Sequence, residues 1–407
     1  MQVFAPTRLT ELEQVVAWAV AEQAPLEVIG LGSKRRLGRP VRAEAELRLD
    51  QLGGIAMYEP DELVMSAAAA TPLATIEAEL AERSQELAFE PADYGLILGG
   101  EPGRQSIGGV FACNIAGPRR LKAGAARDHL LGLQCVTGHG QTIKTGGRVM
   151  KNVTGYDLCK LLAGSYGTLA VASHLTFKVL PAAADSATLL LAGADEAVLL
   201  ATLRQAMGTS GEVSSAALLP ESAARRSTVP AIAGSGRPVA CLRFEGTTVS
   251  IAYRIDKLER LCTRPGGLGA SRLDAEASRI LWREIRDVRL LDPALPLLWR
   301  ISCPPTAAAE VVAAAASLGA ELLLDWAGGL VWAALADAGE DAGSTVLRGA
   351  IASCGGHATL VRGPAELRGR IAPFQPQPAA LAALSQRVKQ GFDPGGVLNP
   401  GRMYAGV

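Results

Sequence analysis

Among 407 residues the sequence holds seven cysteines, none in a Cys-x-x-Cys pair, and only four scattered histidines. An odd set of isolated thiols reads as reduced cysteines serving as small core hydrophobes, and it excludes an iron–sulfur cluster of the usual cysteine spacing. So few histidines leave no histidine-rich metal site, and no metal is expected. An excess of one charge is also lacking, since 40 Lys and Arg balance 40 Asp and Glu. Nothing therefore advertises nucleic acid or an anionic membrane surface as a partner. Long apolar runs are missing too: the most apolar region, 307–335, is broken by Glu310, Glu321, Asp325 and Gly328-Gly329, which is wrong for a membrane span. The opening MQVFAPTRLTELEQ has no basic region leading into an apolar run and a small-residue cleavage site, so a cytoplasmic chain is expected. What is present is apolar: 49% of residues against 20% charged, enough for a sizeable core spread over two or three domains.

The chain is organised around residues 151–181, KNVTGYDLCKLLAGSYGTLAVASHLTFKVLP. Helical spacing of Leu158, Leu161 and Leu162 predicts a helix over 155–163, with Gly164 as its left-handed stop. From Leu169 the period becomes two, with Leu175, Phe177 and Val179 alternating against Thr176 and Lys178 until Pro181 ends the strand. Gly155, Gly164 and Gly167 leave backbone open to a bulky group, and Ser165 and Thr168 offer hydroxyls to phosphate or ribose oxygens. The alternative is an ordinary helix–turn–strand.

Two other stretches have anion-binding character. The short strand LEVIG runs into GLGSKRRLGRP, residues 30–40, where Gly30 and Gly32 free the backbone while Ser33, Lys34, Arg35 and Arg36 crowd donors and positive charge. Such a loop can cradle a pyrophosphate, or it is a basic surface turn. It is not a Rossmann fingerprint, because Gly38 and Pro40 forbid the helix that would have to open there, nor is it a Walker loop. In LILGGEPGRQSIGGVFACNIAGPRR, residues 96–120, Ser106 and Gly108-Gly109 predict a short helix whose N-terminus faces an anion, with a glycine-rich surface loop as the alternative.

Elsewhere, Thr10 with Glu13 reads as a capping box for a first helix ending near Glu22, and Thr71-Pro72 as N-cap and first position of a second ending near Arg83. Strands are expected at 46–50, 55–58 and 63–69, with a hairpin turning at 137–140. Beyond 181, strands at 186–192, 237–244 and 297–302, a hairpin over 321–334 turning at Gly328-Gly329, and helices at 196–207, 250–261 and 306–318 indicate an antiparallel α+β layer of ferredoxin-like type. Residues 211–236 and 262–275 read as loops, 361–379 as a linker and 381–389 as a short helix.

The loop at 30–34, SIGGVFACNIAG at 106–117, KNVTGYDL at 151–158, GSYGTLAV at 164–171 and FDPGGVLNPGR at 392–402 occur together and in order. In this the chain resembles the vanillyl-alcohol-oxidase, or PCMH-type, FAD-binding family, and within it the FAD-binding subunits of bacterial glycolate oxidases. The resemblance implies an α+β fold: a two-subdomain FAD-binding domain over 1–181, an antiparallel ferredoxin-like cap over 182–360, and a C-terminal segment, 361–407, returning to the flavin domain. It implies FAD, with the pyrophosphate on backbone N–H groups of Gly30, Gly32, Ser33 and Lys34 and of Ser106, Gly108 and Gly109. Ser165, Gly167 and Thr168 would face the adenosine side or ribityl chain, and Asn399 and Arg402 the ring side; Asn114, Gly155, Asp157 and Gly164 complete the implied set. Covalently flavinylated members carry histidine in the first loop where this chain has Ser33 and Lys34, so non-covalent FAD is expected.

Oxidising a small 2-hydroxy acid needs a cation for the carboxylate, a base for the hydroxyl proton and the α-carbon held against the flavin. Arg300 in LLWRIS is the candidate carboxylate ligand, His357 in GGHATL the candidate base, and Asp325 a group to orient either. The alternatives are a strand-edge arginine, a surface histidine and a hairpin carboxylate. Single-chain relatives often carry clustered histidines with a glutamate as a metal site, whereas His357 is the only histidine here beyond His174. The resemblance thus implies the FAD-binding subunit of a multi-subunit glycolate oxidase. A sister FAD subunit and an iron–sulfur subunit would be its partners, with any membrane contact made through them at the inner face. A self-sufficient FAD oxidoreductase and a structural subunit with a vestigial pocket are the alternatives.

Overall fold

The computed structural model describes residues 1–149, 155–263 and 268–407. They form two compact units: Met1–Ala116, Gly124–Ala182 and Arg368–Val407 make the first, and Gly117–Ala123 with Ala183–Leu367 the second. Among the described residues no helix is long and apolar enough to cross a membrane.

The first unit holds a parallel sheet in the order Gln2–Phe4, Ala45–Arg48, Leu26–Ile29 and an antiparallel sheet in the order Ile55–Glu59, Val64–Ala68, Ala170–Lys178, Leu130–Thr137, Thr142–Gly146. Leu12, Val16 and Ala19 fall on one face of the helix Leu9–Ala21 and are fully buried against Leu26, Leu47, Val136, Val171 and Leu398. Each large apolar side chain so buried contributes about 1.5–3 kcal/mol. The C-terminal segment is stitched in beside the strand Leu26–Ile29 by a parallel bridge, Leu26 to Leu398, and by the Leu26 N–H donating to Val397 O at 2.7 Å.

Three boundaries differ from the sequence reading. The first helix opens two residues before the expected Glu13 box, because Thr7 N and Oγ1 both donate to Glu11 Oε2. The second starts at Leu73 and ends at Ala81, since the Thr71 hydroxyl is committed to Ala68 O and Gly54 O and does not cap it. The helix expected over 155–163 spans Leu158–Leu162, capped by Asp157, which accepts from Lys160 N at 3.1 Å. Lys151–Thr154 of the KNVTGYDL motif lie outside the described residues.

The second unit is one eight-stranded antiparallel sheet built as two four-strand groups. The first runs in space Gly269–Leu273, Asp185–Ala192, Val239–Gly246, Ser215–Leu219, and the second Glu321–Asp325, Leu330–Leu335, Leu297–Ser302, His357–Arg362. Each follows strand–helix–strand–strand–helix–strand in sequence, and in each the first strand lies between the third and the fourth. The ferredoxin-like layer is therefore present twice, the copies joined through the single pair Leu218 and Leu324.

Several segments taken for loops are elements of this sheet. Within 211–236 the strand Ser215–Leu219 and the helices Glu221–Ala224 and Pro230–Ala233 appear, and within 262–275 the strand Gly269–Leu273. All five residues of Ser215–Leu219 are buried, so the alternation that marks a half-exposed strand is absent. The expected linker 361–379 contains the end of His357–Arg362 and the helix Ala365–Arg370, and the candidate base His357 is the first residue of its strand.

Candidate functional site

The strand Leu26–Ile29 delivers the loop Gly30–Lys34 against the N-terminus of the helix Ile107–Ala112, and both need glycine to come so close. A Cβ on Gly30 would lie 2.8 Å from Ser106 Oγ, and one on Gly108 would lie 2.7 Å from Ala69 O. Gly32 has φ of +81°, open to glycine at no cost. Ser106 caps the helix as expected, its Oγ accepting from Gly109 N at 3.3 Å.

These loops border a cavity of about 990 Å³, counting its open mouth. Gly30, Gly32, Ser33, Lys34, Ser106, Gly108, Gly109, Ser165, Gly167, Asn399 and Arg402 all line it. Asn399 ties three segments together: its Oδ1 accepts from Val28 N at 2.8 Å and its Nδ2 donates to Tyr166 O at 2.9 Å. Lys389, buried, supports it from behind, donating to Thr168 O at 2.6 Å, Leu398 O at 3.0 Å and Asp393 Oδ2 at 2.7 Å.

Five of the expected residues do not line the cavity. Asn114 accepts from Arg127 N, Asp157 caps its helix, Gly164 donates through its N–H to Phe111 O, Thr168 donates to Ser165 O, and Gly155 is exposed. The stretch 151–181, read as one wall of a nucleotide pocket, supplies Val171 and Leu175 to the lining, and the neighbouring strand adds Leu133 and Cys135, which the sequence reading did not single out, to give an apolar surface. Their period-two spacing was the available signal. The sequence reading also missed Cys113, a thiol in the lining held above its ordinary range by burial, against the pull of Lys34 and Arg402.

Lys34 and Arg402 are both buried, yet among the described residues neither has a carboxylate partner. Lys34 Nζ donates to Gln105 Oε1 at 3.1 Å and Ser33 Oγ at 3.2 Å, and Arg402 Nη2 donates to Lys34 O at 2.9 Å. A roomy apolar slot with glycine-bared backbone and two uncompensated cations fits an aromatic nucleotide bearing phosphates. The family profile described as an FAD binding domain matches residues 1–146. Over 399 residues, 97% of this chain and 96% of the relative, the sequence is 36% identical to glycolate oxidase subunit GlcE of Escherichia coli (strain K12). The chain belongs to this family of FAD-dependent oxidoreductases. It is also 24% identical to glycolate oxidase subunit GlcD of Bacillus subtilis (strain 168), over 99% of this chain and 88% of that one. Among solved structures, 4-ethylphenol oxidase from Gulosibacter chungangensis superposes with a TM-score of 0.72 over 99% of this chain and 89% of the other, at 14% identity, which speaks for the PCMH-type fold alone. The cofactor of this flavoprotein is FAD, and the cavity fits it.

The three candidate catalytic residues lie in the second unit. Arg300 stands on the strand Leu297–Ser302, paired in register with Trp332 on one side and Thr359 on the other. Its guanidinium carbon sits 5.0 Å from the Trp326 ring and 5.9 Å from the Trp332 ring. It makes no hydrogen bond or ion pair among the described residues. Arg120 lies over the same Trp326 ring at 4.9 Å. Trp326 is held in the left-handed region, φ +53°, by a turn in which Asp325 Oδ1 accepts from its N–H at 2.7 Å while its own Nε1 donates to Gly117 O at 3.1 Å. His357 is held below its ordinary range by desolvation first, then by the positive charge of Arg300 and Arg120. The sequence reading named Arg300, His357 and Asp325 beside Trp326 as candidates, but it did not single out Arg120, which reaches the same ring from a distant part of the chain.

Proposed function

We propose that this chain is the FAD-binding subunit of a multi-subunit oxidase of glycolate or a closely related 2-hydroxy acid. It holds FAD without a covalent bond in the cavity of the first unit, and a sister FAD subunit and an iron–sulfur subunit are its partners, the latter receiving the electrons. The observation that carries this reading is the cavity with two buried, uncompensated cations, in a chain 36% identical to GlcE along nearly its whole length. When bound, FAD supplies a hydride acceptor for the α-carbon of the substrate.

The remaining roles fall to the second unit. Stacked on two indoles, the Arg300 guanidinium keeps its N–H donors for a carboxylate and can grip it through two parallel bonds. His357, kept neutral near pH 7, can accept the hydroxyl proton at a ring nitrogen. Asp325 fixes the turn that presents Trp326 to Arg300, and so acts as a positioning residue.

The free Arg300 beside a neutral histidine also favours a second reading, in which the chain oxidises its substrate unaided. The visible spectrum of the purified full chain, before and after adding glycolate without air, separates the two. A yellow chain that glycolate does not bleach fits a subunit dependent on partners. Bleaching by the chain alone would sink that dependence and favour the self-sufficient enzyme. A colourless chain that cannot be reconstituted with FAD would leave a structural role.

A further inference from the structure

Lys34 is 7% exposed and Arg402 6%, both on the lining of one cavity. The charged and titratable groups around them are committed elsewhere or carry no charge. The Asp93 carboxylate accepts from Gly95 N and Gly103 N, Arg35 pairs with Glu27 and Glu46, and Arg36 reaches Leu98 O, while burial holds the Cys113 thiol close to both cations above its ordinary range. Among the described residues Lys34 uses two of its three N–H donors and Arg402 one of its five. Two buried positive charges with no carboxylate in ion-pair contact among the described residues, only the more distant pull of Asp93 on Lys34 and of Glu27 on Arg402, are costly unless a ligand brings a closer one.

We propose that the side chains of Lys34 and Arg402 form a dianion seat that takes the diphosphate of FAD, and that seating it draws a proton onto Lys34. This rests on the FAD reading and adds to the backbone cradle a charge-matched pair, since a diphosphate diester carries two negative charges. In the empty cavity burial pushes the Lys34 ammonium down to about 8, against the pull of Cys113 and Asp93. Arg402 stays charged throughout, guanidinium being too basic to lose its proton. A dianion beside Lys34 restores its charged form. Above about pH 8 binding must therefore bring a proton with it, and affinity falls by up to about tenfold per pH unit; below about pH 7 it is flat.

The test is calorimetric titration of the apo full chain with FAD and, separately, riboflavin, which lacks the diphosphate. It runs from about pH 6.5 to about pH 9.5, in buffers of different ionisation enthalpy. FAD should take up nearly one proton at the alkaline end and none at the acid end, and riboflavin none at either. Lys34→Gln should weaken FAD about ten- to a hundredfold at neutral pH, the worth of a charged hydrogen bond, and leave riboflavin within about twofold. Lys34→Arg should bind FAD with no alkaline loss. If Lys34→Gln does not fold, the proton uptake of the unaltered chain still decides. FAD binding without proton uptake, or with the same uptake for riboflavin, overturns the seat and leaves the FAD reading standing; no FAD binding at any pH overturns both.

Discussion

His357 is the residue whose behaviour depends most directly on its surroundings. Its folded pKa is lowered, so the neutral form persists to more acid pH than for a free histidine, and whatever needs that form fails only below the ordinary range near 6.5. Titration of its ring protons by NMR in the full chain should give a midpoint below 6.5, and Arg300→Gln should raise it by removing a cation. A midpoint that Arg300→Gln leaves in place would separate the two residues. Gly108 makes a steric prediction: in Gly108→Ala the new Cβ would meet Ala69 O at 2.7 Å and Ala69 Cβ at 2.8 Å, backbone and a short side chain that cannot swing away. Urea unfolding should show a loss of about 1–3 kcal/mol, with weaker FAD retention as the helix Ile107–Ala112 shifts. At this scale the loop glycines, Ser33, Lys34 and Ser106 that the sequence singled out do line one cavity, because such residues in loops have few structural excuses. Asp157 and Asn114 were expected at the ligand, and their side chains accept from the backbone N–H groups of Lys160 and Arg127, since a cap, a turn and a ligand contact draw on the same side chains.

Among the elements, legibility followed the purity of the pattern. The helix Glu196–Met207 and the strand Leu297–Ser302 fall where periodicity put them, the helix capped by Asp195 and carrying a clean stripe of Leu199, Leu200 and Leu203. The helix Ala275–Arg286 went unread because polar residues occupy part of its buried face. Ser278 bonds Thr188 and Ser186 there, and Glu284 accepts from Ser227 and Thr228. The terminal FDPGGVLNPGR was read as a ligand motif, yet much of it is an anchor. Lys389→Met would strand Asp393, 1% exposed, without its cation, and should cost about 3–5 kcal/mol in urea unfolding. Adding Asp393→Asn should recover part of that loss. Asn399→Asp keeps the acceptor for Val28 N but loses the donor to Tyr166 O and sets a charge against that carbonyl. FAD retention on gel filtration should fall while the helix content by circular dichroism holds.

For the whole molecule, the second unit contains a piece of chain that sequence order assigns to the first, Gly117–Ala123. Arg119 Nη2 lies 2.5 Å from Glu245 Oε1, both largely buried, and Gly117 O accepts from Trp326. Arg119→Ala should lower stability by about 3 kcal/mol, read as a lower thermal midpoint, with Arg243 at 3.9 Å left as the nearest remaining cation for Glu245. Composition foretold more than one domain but not this crossing, because seven residues have no periodicity of their own. The doubled ferredoxin-like layer was likewise hidden, since each copy repeats a topology and not a sequence. The stitching of the C-terminal segment beside Leu26–Ile29 has a consequence for biosynthesis. Val28 finds its partner in Asn399, 371 residues later, so the nascent chain carries an unfinished flank of the cavity until Asn399 has left the ribosome. The cavity is then completed only after Asn399 has been made, and a chain that stopped before it would leave Val28 N and Tyr166 O without this partner.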